Sequence, residues 1–408
     1  MPPKILHVLS QRPSRTGSGI TLDAVVRQAA KNQWDQAAVV GIPAGDKNVL
    51  VGHLNPKAIH PLFFSDPDKV SAPSDLNFPV PGMSDVMPYP STVFSTLGAR
   101  ELSDYRTVWT RHLKKVVQEF EPDLIHSNHI WLLSSLLKDI APHLPVVTTC
   151  HATGLRQLDL CPHLADEVIA GCRRNDHFFV LRRDHGALLA KTLGVSGDKI
   201  SLAGVGYRDE IFNTSGVSAR RDLLYVGKFS NSKGLPWLLD AFEELKKKRP
   251  RLRLHIAGGG SGSEAETLLL RMQAMAPSVV LHGMLDQGNL ARLMRRILVC
   301  VLPSFYEGVP LVLVEAAACG CRLVSTQLPG VEEQIAPKLG SSLEMIPLPR
   351  LVNVDQPLAE DLPQFIQNLL STLIASLDAP EKQTPDLSFF TWKAVFQRVE
   401  SVWQRFTA

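Results

Sequence analysis

Short apolar runs alternate with amphipathic stretches along most of the 408 residues of this chain. The first unit has the order strand, glycine-containing loop, helix, strand, at 4–9, 17–19, 20–31 and 37–42. This order is typical of the start of a doubly wound α/β domain, in which helices pack on a parallel sheet. Three further runs have the continuous apolar character of buried parallel strands, at 123–127, 146–150 and 177–181.

A second alternation of the same kind begins at Asp222. Its predicted strands are 222–227, 252–257, 279–282, 297–302 and 322–325, and its predicted helices are 235–247, 264–275, 288–296 and the segment after Pro310. Two such series predict an α/β fold of two Rossmann-like domains that face each other across a cleft. The predicted domains span 1–205 and 206–388, with a linker at about 203–220.

Two stretches depart from this rhythm. Regular patterning fades from 43 to 102, where prolines interrupt short apolar pieces, and a predicted helix at 104–120 follows. So long an irregular region in a compact domain is usually functional or mobile. Residues 389–408 are predicted to form a closing helix, because four large apolar side chains recur at helical spacing and must pack on something: Trp392, Phe396, Val399 and Trp403.

Composition places the chain among soluble globular proteins, with 45% hydrophobic and 20% charged residues. The net charge of +3 gives no general argument for nucleic acid as a partner. No apolar run reaches the roughly 18 residues that span a bilayer, and the N-terminus has no signal-peptide pattern. We therefore expect a cytoplasmic protein whose contact with a membrane is at most peripheral. The six cysteines follow no common zinc spacing and are expected to be buried free thiols.

The most informative segment runs from Pro303 to Gly320. It indicates a buried strand that ends in an acidic loop, followed by a helix. A helix start exposes unpaired N–H groups and the positive end of the helix dipole, so it suits a phosphate. Glu307 lies just before this start and Glu315 lies one turn further along the helix than Leu311. The two carboxylates could hold sugar hydroxyls on either side of a bound diphosphate.

The run 307–315 resembles the E-x7-E signature of family 4 retaining glycosyltransferases, which have the GT-B fold. Five further segments resemble that family in its own order: the 17–19 loop, 150–154 with His151, 204–206 with Phe212, 226–234 with Lys228 and Lys233, and 329–333. The resemblance implies that the first domain binds the acceptor, the second binds the donor, and the closing helix returns to the first. There are two departures: Lys228 stands where Arg is commoner, and Arg182 stands where Ser is usual.

A nucleotide sugar that loses its sugar gathers negative charge on the diphosphate and positive charge on the sugar ring. Lys228 and Lys233, flanked by glycines after a strand end, are predicted to hold the diphosphate together with the N–H groups of Val309 and Leu311. Two lysines and a helix dipole make a metal dispensable, so no cofactor is expected. The predicted donor contacts also include Gly17, Gly19, Met284, Gly308 and Pro310.

The resemblance also implies roles for three side chains. Glu307 would bind donor-sugar hydroxyls near the reacting centre, and Glu315 would hold the ribose. His151 would donate a hydrogen bond to a sugar hydroxyl or to developing charge. The predicted catalytic residues are therefore Glu307, His151, Lys233 and Lys228. Retention would follow from front-face attack, although the residues leave a covalent route open.

The acceptor is predicted to contact four side chains of the first domain: Arg12, Arg15, His126 and Arg156. Several arginines around one pocket favour an anionic acceptor, such as a sugar phosphate, a carboxylate or a lipid phosphate. Arginines that are simply solvated explain the same residues equally well. The irregular stretch 43–105 could form a lid over this pocket.

Three alternatives remain to be weighed. A nucleotide-sugar epimerase or hydrolase would share the fold, and a non-catalytic nucleotide-sugar binding protein would share the donor site. A dinucleotide oxidoreductase is excluded because Gly17 and Gly19 are followed by Leu22, where G-x-G-x-x-G requires glycine. The donor base is expected to be uridine only because UDP-sugars are common in the family.

Overall fold

The computed structural model describes residues 2–13, 16–46, 49–69, 71–83, 87, 89–216, 220–380 and 385–408. Contacts divide the chain into two compact units. The first comprises residues 1–205 with 392–408, and the second comprises 206–391. Each unit is built on a parallel sheet.

The first unit has a seven-stranded sheet and a separate two-stranded pair. Its strands are β1 (Lys4–Leu9), β2 (Asp35–Pro43), β3 (Ile59–Phe64), β4 (Val80–Gly82), β5 (Ser91–Val93), β6 (Leu124–Asn128), β7 (Val146–Cys150), β8 (His177–Val180) and β9 (Ile200–Leu202). The order in the sheet is β3-β2-β1-β6-β7-β8-β9, and β4 pairs with β5. The helices of this part are α1 (Gly17–Lys31), α2 (Ala99–Phe120), α3 (Leu132–Ser135), α4 (Leu137–Ile140), α5 (Ala152–Leu160), α6 (Pro162–Cys172) and α7 (Arg183–Leu193).

The second unit has a six-stranded parallel sheet. Its strands are β10 (Arg221–Lys228), β11 (Leu254–Gly259), β12 (Val279–Gly283), β13 (Ile297–Leu302), β14 (Arg322–Thr326) and β15 (Leu343–Ile346). They lie in the order β12-β11-β10-β13-β14-β15. The remaining helices are α8 (Leu235–Lys248), α9 (Ser263–Ala274), α10 (Gln287–Met294), α11 (Leu311–Ala318), α12 (Ala336–Leu339), α13 (Leu362–Asp378) and α14 (Trp392–Thr407).

The closing helix α14 packs on the first unit. Its buried side chains join a core cluster with residues of β1, α1, β6, β7 and β8. Trp403 is fully buried there and contacts Trp34 and Phe396. The helical stripe of the sequence is therefore explained, because it covers one face of the seven-stranded sheet.

The expectation that residues 43–102 lack regular structure is wrong for the short pair β4 and β5, for the start of α2, and for 59–64, which form the edge strand β3. Pro61 disrupts the strand pattern, yet an edge strand tolerates it. The N–H of Phe63 points away from β2, to the Asp75 carboxylate at 2.8 Å, and the nitrogen of Pro61 lies on the same outer side. A missing donor there breaks no bond of the sheet.

Helix α1 begins at Gly17 rather than Ile20, so Gly17 and Gly19 form its first turn and not a loop. Thr16 caps this turn by accepting a hydrogen bond from the Gly19 N–H at 3.1 Å. All six cysteines are buried free thiols, as expected. Among the described residues, none of the helices has the length and apolar character that crossing a bilayer demands.

Candidate active site

A loop at the end of β10 lies directly on the loop at the end of β13. Gly234 has the left-handed φ of +70°, and a Cβ at this position would lie 2.0 Å from the carbonyl oxygen of Pro303. The N–H of Phe305 donates to the carbonyl of Ser232 at 2.9 Å. Only glycine permits this approach. The approach sets Lys233, the residue before Gly234, beside the acidic loop.

Lys233 and Glu307 form an ion pair at this junction. The Nζ of Lys233 lies 2.8 Å from Oε1 of Glu307 and donates to the carbonyl of Tyr306 at 3.2 Å. The hydroxyl of Ser304 donates to the same Oε1 at 2.9 Å. Both charged side chains keep about a fifth of their surface exposed, 23% and 19%. The structure therefore holds a cation and a carboxylate together at a surface that a solute can reach.

Lys228 ends β10, the strand next to β13. The hydroxyl of Tyr225 donates to the backbone carbonyl of Lys228 at 2.6 Å. Burial and the charge of Glu307 raise the pKa of Tyr225 well above its usual value, so this hydroxyl stays protonated. The Lys228 side chain is exposed and forms no ion pair within the described part of the chain. Its amine is available to an anion.

Helix α11 begins directly after the acidic loop, which leads through Gly308, Val309 and Pro310 to Leu311. Pro310 stands at the capping position, and no side chain caps the exposed N–H groups of the first turn. Glu315 lies one turn further along the helix, where burial raises its pKa to about 7. Helix α11 therefore carries both an uncapped helix start and the Glu315 carboxyl, which titrates near neutral pH.

Met284 lies at the same end of the sheet. It is 83% exposed, and its sulfur lies 3.7 Å from the place where a Cβ on Gly259 would be. Gly259 pairs with Lys228 across β10 and β11. The structure therefore places Met284 after β12, Lys228 and Lys233 at the end of β10, and Glu307 after β13, all at the carboxyl edge of the sheet, which is where open α/β sheets bind ligands.

In the first unit, His151 follows β7 and directly precedes α5. Its Nε2 lies 3.1 Å from Oδ1 of Asn128, the last residue of β6. The ring of His129 lies 4.6 Å away, centroid to centroid. Burial lowers the pKa of His151 to about 4, so the ring is neutral at pH 7. The His151 ring can therefore form a hydrogen bond with a substrate, but it cannot form an ion pair with one.

The residues predicted to contact the acceptor lie in different surroundings. His126 is buried in the core, where its Nε2 bonds Thr149 Oγ1 at 2.8 Å and its ring packs on Trp403. His126 is thus covered by Trp403 of α14, and its contact with an acceptor stays a prediction. Arg12 is nearly buried and pairs with Asp46 at 2.5 Å.

The sequence singled out three further arginines. Arg156 is exposed on α5. Arg15 lies outside the described residues. Arg182 is the capping residue directly before α7 and is nearly buried, with its Nε 2.9 Å from Asp184 Oδ1. Of the arginines discussed, Arg156 is thus the described one that presents its side chain at the surface.

The sequence argument missed three residues: Ser304, Tyr225 and Asn128. Ser304 stands three residues before Glu307, so its position in the acidic loop was a usable signal. Asn128 could have been found from strand register, because it lies opposite Thr149 on β7, two residues before His151. Tyr225 gave no such signal, since its place in an apolar strand resembles that of any core residue.

Both units match models of glycosyltransferase families. Residues 220–368 match the family model described as Glycosyl transferases group 1. Residues 84–208 match the model described as Glycosyltransferase Family 4. Glycogen synthase of Mycobacterium tuberculosis is 28% identical over 235 residues, which are 53% of this chain and 55% of that protein. The chain thus spans about half the length of the curated relatives it matches.

Solved structures show the same fold. Sucrose-phosphate synthase from Thermosynechococcus elongatus has a TM-score of 0.65 at 16% identity, over 99% of both chains. Anabaena HepE, solved in complex with UDP and glucose, has a TM-score of 0.59 at 17% identity, over 98% of this chain and 99% of its own. Two parallel-sheet α/β units and these neighbours define a protein of the GT-B fold. The chain belongs to the glycosyltransferases of family 4 and group 1, as its resemblance indicated.

Proposed function

We propose that this glycosyltransferase moves a sugar, with retention, from a nucleotide diphosphate sugar to a small-molecule or lipid-phosphate acceptor. UDP is the proposed donor nucleotide. The observation that carries the proposal is the Lys233–Glu307 pair, held at 2.8 Å beside the uncapped start of α11. A similar fold, that of HepE, was solved with UDP and glucose, which supports the choice of donor class.

The proposed chemistry follows from the charges. The bond between the anomeric carbon and the phosphate oxygen breaks, so negative charge grows on the diphosphate. Lys228, Lys233 and the N–H groups at the start of α11 stabilise it, since preorganised charges need no rearrangement during the reaction. They supply the positive charge that a divalent ion supplies elsewhere, so we propose that no metal is needed. Glu307, already fixed by Ser304, binds hydroxyls of the departing sugar.

Retention follows if the acceptor attacks from the side that the diphosphate leaves. A bond then forms between the acceptor oxygen and the anomeric carbon, and the departing phosphate oxygen takes the proton of the acceptor hydroxyl. The acceptor would bind the first unit. An anionic acceptor would meet Arg156, whose side chain is exposed on α5.

The proposal is tested with Lys233→Ala and Glu307→Gln. Each should lower turnover of the donor by about two orders of magnitude, the usual loss when one preorganised group is removed. Lys247→Ala is the matched control, because Lys247 forms an exposed ion pair with Glu244 on α8 at 2.6 Å. Mass spectrometry measures nucleotide and product, and near-normal rates in both variants would refute the assignment.

Donor class is established separately by thermal shift. The wild type is tested against a panel of UDP- and GDP-sugars. We expect the UDP-sugars to raise its melting temperature, because a ligand that binds only the folded state stabilises it by mass action. Stabilisation by GDP-sugars alone would contradict the nucleotide. Release of UDP and free sugar without any acceptor would indicate a hydrolase.

A further inference from the structure

The side chain of Asn128 is held in one orientation by two neighbours. Its Nδ2 donates to the backbone carbonyl of Val8 at 3.4 Å, and its Oδ1 faces the Nε2 of His151 at 3.1 Å. A flipped amide would set Oδ1 against the Val8 carbonyl, which is also an acceptor. The amide oxygen must therefore face the imidazole, and an amide oxygen only accepts. The Nε2 of His151 has to carry the hydrogen.

The neighbouring His129 holds the ring of His151 from one side. His129 has a φ of +69°, a left-handed conformation that residues other than glycine rarely adopt. Its N–H donates to the carbonyl of Thr149 at 2.8 Å, and its carbonyl accepts from the hydroxyl of Ser134 at 2.6 Å. Strained backbone of this kind persists where its surroundings fix it, and it is concentrated at functional sites. The fixed backbone sets the His129 ring 4.6 Å from that of His151.

A neutral imidazole has one N–H and one lone pair. Because Nε2 donates its hydrogen to Asn128, the lone pair lies on Nδ1. Nδ1 makes no hydrogen bond to any described residue. His151 as a whole keeps 6% of its surface exposed. The titratable groups around it are His126, His129 and Cys150; burial lowers the pKa of both histidines and raises that of the thiol, so none is charged at pH 7.

We propose that Asn128 is a positioning residue that fixes His151 as the Nε2–H tautomer, so that Nδ1 accepts a hydrogen bond from a hydroxyl of the sugar substrate. This differs from the expectation that His151 donates. The contact with a substrate hydroxyl rests on the proposed function, whereas the tautomer does not. A neutral nitrogen that accepts a hydrogen bond favours a hydroxyl group and cannot bind a phosphate oxygen. His151 would therefore contact the sugar, and the lysines would bind the diphosphate.

The tautomer is measured by long-range proton–nitrogen NMR on the full chain with labelled histidine. His151→Gln assigns its signal among the 13 histidines. At pH 7 the wild type should show a protonated Nε2 and an unprotonated Nδ1. Asn128→Leu should lose this preference, and Asn128→Asp should keep it, because a carboxylate also accepts from Nε2. The opposite tautomer in the wild type would overturn the proposal even if Asn128→Leu fails to fold.

Asn175→Leu is the matched control. Asn175 is a fully buried amide that bonds Thr148 Oγ1 at 2.9 Å, so the same substitution there should leave the tautomer of His151 unchanged. Loss of the preference in both Leu variants would mean a general disturbance and would refute the specific role of Asn128.

Kinetics test the substrate contact. Asn128→Leu should lower kcat/KM for the donor or the acceptor by about tenfold, the net worth of one hydrogen bond, and Asn128→Asp should restore most of it. A shifted tautomer with unchanged kcat/KM would refute the contact with a hydroxyl. This outcome is distinct from failure of the proposed function, which would leave Lys233→Ala fully active.

Discussion

Replacing Gly234 by alanine perturbs the packing that brings Lys233 to Glu307. An alanine Cβ would lie 2.0 Å from the carbonyl oxygen of Pro303, and real Cβ contacts essentially never fall below 3.0 Å. Because the obstacle is backbone, the loop and the end of β13 must separate by about 1 Å, which follows from the same two distances. The Phe305–Ser232 hydrogen bond at this junction is then lost or weakened.

The cost has two parts. A left-handed φ costs alanine about 1–2 kcal/mol, and the lost hydrogen bond adds about 1 kcal/mol. We therefore expect Gly234→Ala to lower the free energy of unfolding by about 2–3 kcal/mol. A displacement of about 1 Å at a catalytic group costs about 100-fold in rate, so donor turnover should fall by that factor.

Gly194→Ala is the matched control. Gly194 has φ +63° and ψ 38°, also left-handed, but an added Cβ would meet only the Arg173 side chain at 3.7 Å, an ordinary contact. This variant should lose about 1–2 kcal/mol of stability and keep its turnover. Urea unfolding and donor turnover are measured on both variants. Equal stability losses together with equal turnover would refute the argument that this close approach builds the site.

Three further outcomes are expected. Burial raises the pKa of Glu315 from 4.5 to about 7, so the folded protein keeps a proton on this carboxyl that the unfolded chain releases. The contribution of Glu315 to stability should therefore fall by about 3 kcal/mol as pH rises through this window, and the difference in unfolding free energy between the wild type and Glu315→Gln should change by that amount between urea titrations at about pH 5 and about pH 8. The buried histidines titrate in both proteins, so an unchanged difference would contradict this. Tyr225→Phe removes the hydrogen bond to Lys228 and should weaken UDP binding about fivefold in calorimetry, whereas unchanged affinity would exclude that role. Trp403→Ala should cost about 3–5 kcal/mol, and a loss near zero would mean that α14 adds little to the first core.

Most elements of the fold could be predicted because each buried segment carries its own periodicity. Strands β7 and β13 were placed to the residue, since parallel strands buried on both faces appear as continuous apolar runs. Edge strand β3 was missed because its outer side needs neither apolar alternation nor a backbone donor at Pro61.

The candidate site was predictable where its chemistry is local. The glycines around Lys233 and the acidic loop before α11 predicted a phosphate site from residues that are adjacent in the sequence. His126 was not predicted to be buried, for the opposite reason. It stands in a strand like a candidate ligand, but Trp403, from the far end of the chain, covers it.

By itself the sequence determined which segments are buried and which loop places a carboxylate directly before a helix start, because these depend on residues within a few positions of one another. Tertiary structure alone decided which polar groups meet. Lys233 and Glu307 stand 74 positions apart in the chain. They pair because β10 lies between β11 and β13 in the sheet, which brings the loops after β10 and β13 together. Asn128 meets His151 because β6 and β7 align in register. Strand order and register are properties of the whole sheet, so no local pattern encodes them.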